Sequence, residues 1–321
     1  MNKERNSRRS ELGGALLLLL AAFIWGTAFV AQSEGAEKIQ AFTFNSVRML
    51  IGALTLGVFL LVRGVIRKAV GSKTDTGENR AAALRATVLH GALIGLALFG
   101  ASSAQQFAFS YSDAGKIAFI TALYMFFVPL FGLFFGKRVP AVTWFAVCVG
   151  FVGLYFLSID PADPLHVNRG DLLALLCAVI YAVQILLVEK YSADADSVEL
   201  SAVEFASCGL FSLVMMFIFE EPSVPAILSA APQLLWTGVM SCGIAFTLQV
   251  VGQKRAEATA ASLMMCMESV FGVLSAAVLL GDRMNGREIL GCTLMFVAIV
   301  LSQVGDKLIE AVKARRRTAK A

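Results

Sequence analysis

Long apolar runs separated by short polar segments dominate the chain. Ten runs reach about 20 residues, the length that an α-helix needs to cross a bilayer core about 30 Å thick. They lie near residues 12–32, 42–62, 86–109, 114–135, 140–158, 171–189, 198–219, 232–252, 258–280 and 286–305. The pattern predicts an all-α polytopic membrane protein with ten transmembrane helices.

Two polar segments interrupt this pattern. Residues 63–85 contain six basic residues and the run GSKTDTGENR, which predict a long exposed loop. Residues 160–171 contain Pro161, Pro164 and Gly170 and divide the chain nearly in half. The apolar run at 12–32 follows basic residues, as in a secretory signal, but its length and its later copy favour a first transmembrane helix.

The two halves of the chain resemble each other. Gly14 and Trp25 recur 156 positions later as Gly170 and Tyr181, and the same spacing carries Arg48 onto Glu204. After the long loop the spacing becomes 145. Each copy holds five helices, an odd number, so the second copy enters the membrane in the opposite sense. The sequence therefore predicts inverted repeats, a common construction of secondary transporters.

These spacings set the predicted organisation of the chain. Residues 1–11 form a cytoplasmic tail, 12–158 the first repeat, 159–170 a linker, 171–305 the second repeat and 306–321 a basic cytoplasmic tail. With both termini cytoplasmic, the inner segments carry about four times as many Lys and Arg residues as the outer ones. We expect a multi-pass protein of the plasma membrane, the inner membrane in a prokaryote.

Composition agrees with a membrane protein. Of 321 residues, 58% are hydrophobic and 16% charged, whereas soluble domains carry about 25% charged residues. The basic C-terminal cluster has no interleaved aromatic residues, which favours membrane-flanking charge over nucleic-acid binding. The six Cys residues form no CxxC pair and the two His residues are isolated, so we expect no metal site. With no P-loop or hydrolase motif, we expect neither cofactor nor enzymatic activity.

Arg48, Glu204 and Glu268 are ionisable side chains that lie well inside predicted helices. Each costs roughly 2.5–3.5 kcal/mol on insertion scales and needs a physical reason. The functional hypothesis makes Glu268 a site for a substrate ammonium group or a proton; the structural alternative is a bond to Arg48 or to a neighbouring hydroxyl. Glu204 is expected to be a helix-end or packing residue.

Polar and aromatic residues within the helices predict a cavity lining, since buried amides need partners. For each of them, helix packing is the alternative. The candidate substrate-binding residues are Trp25, Gln106, Tyr124, Tyr181, Gln184, Gln249, Gln253, Met264 and Glu268. Arg48 and Glu268 are the candidates for coupling or for a charge pair.

Two further features have both a mechanical and a passive interpretation. Pro129 predicts a kink that serves as a hinge or only as packing, and its repeat counterpart is Leu274. Asp113 and Lys116 flank the start of the fourth helix, where surface solvation is the simpler expectation and a gate is the alternative.

Several short motifs carry a family resemblance. They are Ala21-Ala22-Phe23-Ile24-Trp25-Gly26-Thr27, Arg48, Glu268-Ser269-Val270-Phe271 and Leu279-Leu280-Gly281-Asp282. Their order over two five-helix repeats resembles the drug/metabolite transporter superfamily, in particular its EamA-type ten-helix branch. The family commonly has proline after the glutamate and glutamate after the closing glycine, where this chain has Ser269 and Asp282.

The resemblance implies a central cavity lined by helices 1, 3, 4, 6, 8 and 9. It also implies export or exchange of amino acids or related small metabolites. The inverted repeats predict alternating access, and with no P-loop we expect uphill transport to be coupled to a proton or a counter-solute. Drug or nucleotide-sugar exchange and lipid flipping are the alternatives within transport. The protein is expected to work as a monomer or homodimer in the bilayer.

Overall fold

The computed structural model describes residues 2–69, 78–112, 114–137, 139–158, 168–193, 195–280 and 285–318. Over these ranges the regular structure is entirely helical. The helices are α1 (Asn2–Lys38), α2 (Ala41–Ala69), α3 (Glu78–Ala108), α4 (Ala114–Thr121), α5 (Tyr124–Phe134), α6 (Ala141–Ser158), α7 (Arg169–Ser192), α8 (Ser197–Phe219), α9 (Val224–Ser229), α10 (Ala231–Leu235), a π-helix (Trp236–Phe246), α11 (Thr247–Gln253), α12 (Ala258–Met265), α13 (Met267–Leu280) and α14 (Gly286–Thr318).

Eight spans within the described residues are long and apolar enough to cross a membrane. They lie at Leu12–Lys38, Ala41–Ala69, Arg80–Ala108, Ala114–Phe134, Arg169–Ser192, Ser197–Phe219, Ala231–Gln253 and Ala258–Ser275. Helix α6 contains a shorter apolar segment, Ala141–Phe156, and α14 packs along it. Many large apolar side chains on these helices are exposed, which suits a surface solvated by lipid.

Several predicted boundaries are wrong because helices continue past the apolar runs. Helix α2 extends to Ala69 and α3 starts at Glu78, so much of the loop predicted at 63–85 is helical. Helix α1 already begins at Asn2 and α14 continues to Thr318, so both predicted tails are largely helical. The predicted linker overlaps residues 159–167, which lie outside the described residues.

Two of the predicted helices are each broken in the middle. The helix predicted at 114–135 is interrupted at Ala122 and Leu123, and the one predicted at 258–280 is interrupted at Cys266. The two breaks contact each other, because the Cys266 thiol donates to the carbonyl oxygen of Ala122 over 3.4 Å. The Ala122 carbonyl oxygen also accepts from the Met125 amide over 3.1 Å, so the thiol adds a contact between the helices at this oxygen.

Pro129 does not lie at either interruption. It lies within α5, seven residues beyond Ala122, and the break at Cys266 forms in a helix that has Leu274 at the corresponding place. The hinge predicted at Pro129 therefore remains a prediction, while the irregular backbone is found closer to the centre of the helix bundle.

The ends of the helices define two faces. We call the face at Lys38, Ala41, Ala108 and Phe219 the Lys38 face, and the opposite face, at Phe134, Lys137 and Ser192, the Lys137 face. Helices α2 and α8 pack together along their length and are joined at both faces. Glu220 accepts hydrogen bonds from the Phe42 and Thr43 amides, each over 2.7 Å, at the Lys38 face.

At the Lys137 face, Asp196 joins the same two helices. It accepts hydrogen bonds from the Val198 and Glu199 amides at the start of α8 and forms a 2.9 Å ion pair with Arg63 of α2. Partial burial acts to raise the pKa of this carboxyl, but the bonds from Arg63 and the two amides outweigh it, so the pKa lies below the usual aspartate value.

Replacing Asp196 by alanine is expected to destabilise the fold by about 1 kcal/mol near neutral pH, because α8 loses its N-cap. A lowered pKa in the folded state means that this stabilisation is present above the ordinary aspartate pKa and is lost as the pH falls through the folded value. Thermal unfolding in detergent at a series of pH values measures it. Asp196→Asn, which keeps the capping oxygen, should retain much of the stability but lose the pH dependence; equal melting temperatures for all three proteins would contradict this role.

Candidate substrate-binding site

Buried polar side chains from several helices meet at one central cavity of about 50 Å³. Its lining is Trp25, Phe29, Gln32, Arg48, Gln105, Thr121, Tyr124, Tyr181, Gln184, Ile185, Ser241, Phe246, Gln249, Met265 and Glu268. The two helix breaks lie beside it, since Tyr124 is the first residue of α5 and Glu268 the second residue of α13. The folded chain thus brings charged, amide and aromatic groups together at mid-depth.

Glu268 is the carboxylate of this cavity. It lies in the first turn of α13, and its side chain is buried. The Tyr124 hydroxyl, in the first turn of α5, donates to Glu268 Oε1 over 3.4 Å. The bond therefore links the two broken helices at the residues that follow their breaks.

Arg48 supplies the positive charge and is 3% exposed. Its Nη1 donates to Gln32 Oε1 over 2.6 Å and its Nε to Asn45 Oδ1 over 2.9 Å. The guanidinium also lies over the Phe44 ring, 5.4 Å from its centroid. Amide oxygens thus hold the guanidinium in place without neutralising its charge.

Arg48 and Glu268 form no salt bridge with each other or with another residue in the described part of the chain. The structure therefore offers no support for a direct bond between them, and Glu268 is instead bonded to a hydroxyl. Both groups have polar partners in the cavity wall but no partner of opposite charge within the described residues.

A chain of amides lines the side of the cavity towards α11. Glu204 Oε1 accepts from Gln184 Nε2 over 2.8 Å, and Gln249 Nε2 donates to Gln184 Oε1 over 3.3 Å and to Gln253 Oε1 over 2.9 Å. Gln253 in turn donates to the Ile185 carbonyl oxygen. Glu204 is fully buried in α8 and orients an amide of the lining, which fits the packing alternative and not the helix-end one.

Aromatic rings form the remaining wall. Trp25 and Phe246 meet edge to face with centroids 4.7 Å apart, and Tyr124 and Tyr181 meet at 6.5 Å. Trp25 Nε1 is buried without a hydrogen-bond partner, as is Gln249 Oε1. Because buried polar atoms are normally paired, the cavity offers one donor and one acceptor for a bound molecule.

Three sequence-predicted residues lie outside this lining. Gln106 donates to the Gln32 carbonyl oxygen and faces a second cavity of about 600 Å³ at the Lys38 face. Gln253 lies behind Gln249, and Met264 is buried in the apolar core. On two helices the residue next to the predicted one lines the cavity, Gln105 for Gln106 and Met265 for Met264.

Lys116 is not a solvated surface residue. Its Nζ lies 2.8 Å from Asp171 Oδ2, and only 20% of its side chain is exposed. The pair joins α4 to the start of α7. Asp113, the other residue of the predicted pair, lies outside the described residues. Within the described residues no group of His, Cys, Asp and Glu could hold a metal ion.

Comparisons with known proteins place the chain in a family. The model of the EamA-like transporter family matches residues 12–159 and 168–303. An "uncharacterized transporter" of Archaeoglobus fulgidus is 26% identical over 290 residues, covering 88% of this chain and 83% of that protein. The "uncharacterized transporter YoaV" of Bacillus subtilis is 22% identical over 291 residues, covering 89% and 94%.

The fold also has a relative of known structure. A protein whose crystal structure is solved superposes with a TM-score of 0.74 at 20% sequence identity, over 92% of this chain and 98% of the other. At that identity the likeness concerns the fold. The two matched segments together span nearly the whole chain, and this multi-pass membrane protein belongs to the EamA-like transporter family.

Proposed function

We propose that the protein exports or exchanges amino acids or closely related zwitterionic metabolites by alternating access. The observation that carries the proposal is the central cavity itself, which presents a buried guanidinium, Arg48, and a buried carboxyl group, Glu268, that are not paired with each other. A substrate bearing an ammonium group and a carboxylate would neutralise both.

The remaining polar groups of the lining suit the same substrate. Glu268 would accept from the ammonium group and Arg48 would donate to the carboxylate. The unpartnered Trp25 Nε1 and Gln249 Oε1 supply one more donor and one more acceptor. The rings of Phe29 and Phe246, together with Met265, would surround an apolar substrate side chain.

The volume of the cavity supports a conformational cycle. About 50 Å³ holds only a few water molecules, whereas small-molecule sites occupy about 300–1,000 Å³. The described conformation is therefore closed around its centre, and a substrate enters only when the helices separate at one face. Such opening at alternate faces is the essential step of alternating access.

We also propose that ten helices form two inverted repeats, with α6 and α14 completing the set. Tyr124 and Glu268 follow helix breaks and are 144 positions apart, as are Ala122 and Cys266. The structure thus gives a spacing one position shorter than the 145 read from the sequence alone. A Cβ atom at Gly14 would lie 3.0 Å from the Gly252 carbonyl oxygen, and one at Gly170 would lie 3.0 Å from that of Ala108. Gly14 is the counterpart of Gly170, and Ala108 is the counterpart of Gly252. The same close approach between the two halves therefore occurs twice, which supports a two-fold relation.

The orientation follows from the distribution of charge. We propose that both termini and the Lys137 face are cytoplasmic and that the Lys38 face is outside, in the plasma membrane. An impermeant thiol reagent tests this in intact cells. It should react with a cysteine introduced at Lys38 and not with one introduced at Lys68.

Glu268 is the proposed site of proton coupling. Arg48 is the positively charged residue that lines the same cavity, and the neutral Tyr124 hydroxyl donates to Glu268. Glu268→Gln is expected to remove the pH dependence of transport while leaving folding intact, because an amide does not titrate. Rates measured across a pH series give the result, with Glu257→Gln as a control at an exposed position; an unchanged pH profile in folded Glu268→Gln would reject this role.

Efflux from liposomes tests the function as a whole. Purified protein is reconstituted in vesicles loaded with mixed amino acids and other metabolites, and release is followed with and without an imposed proton gradient. Selective release of amino acids, faster with the gradient, is the expected result. No selective release from folded protein would overturn the substrate assignment, and release that ignores the gradient would overturn the coupling.

Lipid translocation is the second candidate, favoured by one feature. An apolar groove of about 790 Å³ opens between α5 and α7, lined by Phe131, Phe134, Phe135, Val183, Leu186 and Leu187, with Lys137, Glu189 and Lys190 at its rim. Movement of fluorescent lipids between leaflets in the same vesicles would support this candidate.

A further inference from the structure

Glu189 joins three helical elements at the Lys137 face. It lies near the end of α7, and its Oε2 forms an ion pair with Lys137 Nζ, just beyond α5. Its Oε1 accepts a hydrogen bond of 3.0 Å from the amide of Ala258, the first residue of α12. Glu257, which precedes α12, offers no capping bond from its own side chain.

The ion pair and the amide bond connect different parts of the bundle. Helix α7 is tied to the α4–α5 pair at both ends, by Lys116–Asp171 at one face and by Lys137–Glu189 at the other. Helix α1 packs closely on α12 and α13, and α12 also packs on α5 of the other group. The bond from Ala258 to Glu189 therefore crosses from the α1, α12 and α13 group to the α4, α5 and α7 group.

The same two groups meet around the central cavity. Tyr124 belongs to one of them and Glu268 to the other, and their bond crosses the gap at mid-depth. Cys266 and Ala122 form another such crossing at the two helix breaks. Glu189 adds a crossing at the Lys137 face, beside a cavity of about 340 Å³ that both Glu189 and Ala258 line. Its carboxylate lies at the first turn of α12, where the helix dipole favours a negative charge.

Among the described residues, the position that corresponds to Glu189 at the opposite face carries no carboxylate. The repeat spacing of 156 takes Glu189 onto Ser33, and the spacing of 144 takes Ala258 onto Ala114, the first residue of α4. A serine side chain is shorter and uncharged, and no hydrogen bond from Ser33 to α4 occurs in the described structure. The counterpart of Lys137 lies outside the described residues.

We propose that Glu189, positioned by Lys137, is a latch that holds the Lys137 face closed while the site communicates with the Lys38 face. The cavity at the Lys38 face already reaches Gln106, which bonds to Gln32 of the central lining. Opening towards the Lys137 face requires the Glu189–Ala258 bond to break. This inference rests on the proposed alternating access but not on the identity of the substrate.

Cysteine labelling tests the latch without any substrate. Thr259→Cys reports on the cavity at the Lys137 face and Ala36→Cys on that at the Lys38 face, with the exposed Cys148 and the partly exposed Cys292 replaced by serine. Glu189→Ala should raise the rate of labelling at Thr259→Cys about fivefold, because losing a carboxylate from a helix N-terminus should raise the population of the conformation open at the Lys137 face by about that factor. The same variant should lower the rate of labelling at Ala36→Cys.

Two further variants separate the latch from general loosening. Lys137→Gln removes only the ion pair and should give an intermediate change, which keeps the test valid if Glu189→Ala folds poorly. Glu257→Ala removes an exposed charge next to α12 and should change nothing. Equal labelling in Glu189→Ala and Glu257→Ala, or a rise at both faces together, would overturn the latch. A latch response without amino-acid efflux would instead overturn only the substrate assignment.

Discussion

Replacing Arg48 by glutamine is expected to lower transport of a zwitterionic substrate by about 10–100-fold, the cost of losing a hydrogen bond to a charged group in a dry site. Arg48 is the buried cation of the cavity, and its Nε and Nη1 are held by Asn45 and Gln32. Glutamine removes the charge that would meet the substrate carboxylate. Initial rates of efflux from vesicles containing equal amounts of folded protein measure the effect.

Two other variants sharpen this result. Arg48→Lys keeps the charge but loses the planar set of donors, so it should retain part of the activity. Glu204→Gln removes a buried charge that touches the lining only through Gln184, and it should leave discrimination between charged and neutral substrates unchanged. Full activity of Arg48→Gln would show that Arg48 is a packing residue.

Replacing Gly26 by valine is expected to destabilise the protein by about 1–3 kcal/mol, the range for overpacking a tight contact. A Cβ atom at Gly26 would lie 2.6 Å from the Glu268 carbonyl oxygen and 2.7 Å from the Gly272 amide nitrogen. Both contacts are backbone atoms, so α1 and α13 must move apart. Because this contact also positions Glu268, the transport rate per folded protein should fall as well.

Gly57→Val is the matched control. Gly57 lies in α2 and a Cβ atom there would meet no atom within 4 Å, so the same chemical change should leave the melting temperature nearly unaltered. Thermal unfolding in detergent and transport rates are compared for the two variants. Similar melting temperatures for Gly26→Val and Gly57→Val would contradict the close packing of α1 on α13.

The sequence predicted where most helices lie but not where two of them break. Apolar length identifies a membrane helix, and it located the segments that became α4–α5 and α12–α13. The breaks at Ala122–Leu123 and Cys266 carry no proline or glycine, so no local signal marks them. They are stabilised by tertiary contacts such as the bond from Cys266 to Ala122.

Candidate site residues were predictable by type more than by position. Arg48, Glu268 and several amides and aromatic residues attract attention because polar groups in apolar helices need partners. Neighbouring residues on one helix differ in direction by about 100°, so the choice of Gln106 over Gln105 depended on a helix rotation that the sequence does not define. Glu189 was missed because it lies at a helix end, where charge is ordinary.

The most direct test of the central claim compares three substrates of the same side chain. Vesicles containing the protein are loaded with an amino acid, with the amine that lacks its carboxylate, or with the acid that lacks its amino group, and release is measured. If Glu268 and Arg48 bind opposite ends of a zwitterion, the amino acid leaves fastest, Arg48→Gln loses the preference over the amine, and Glu268→Gln loses the preference over the acid. Equal release of all three compounds, or a preference that survives both substitutions, would contradict the account.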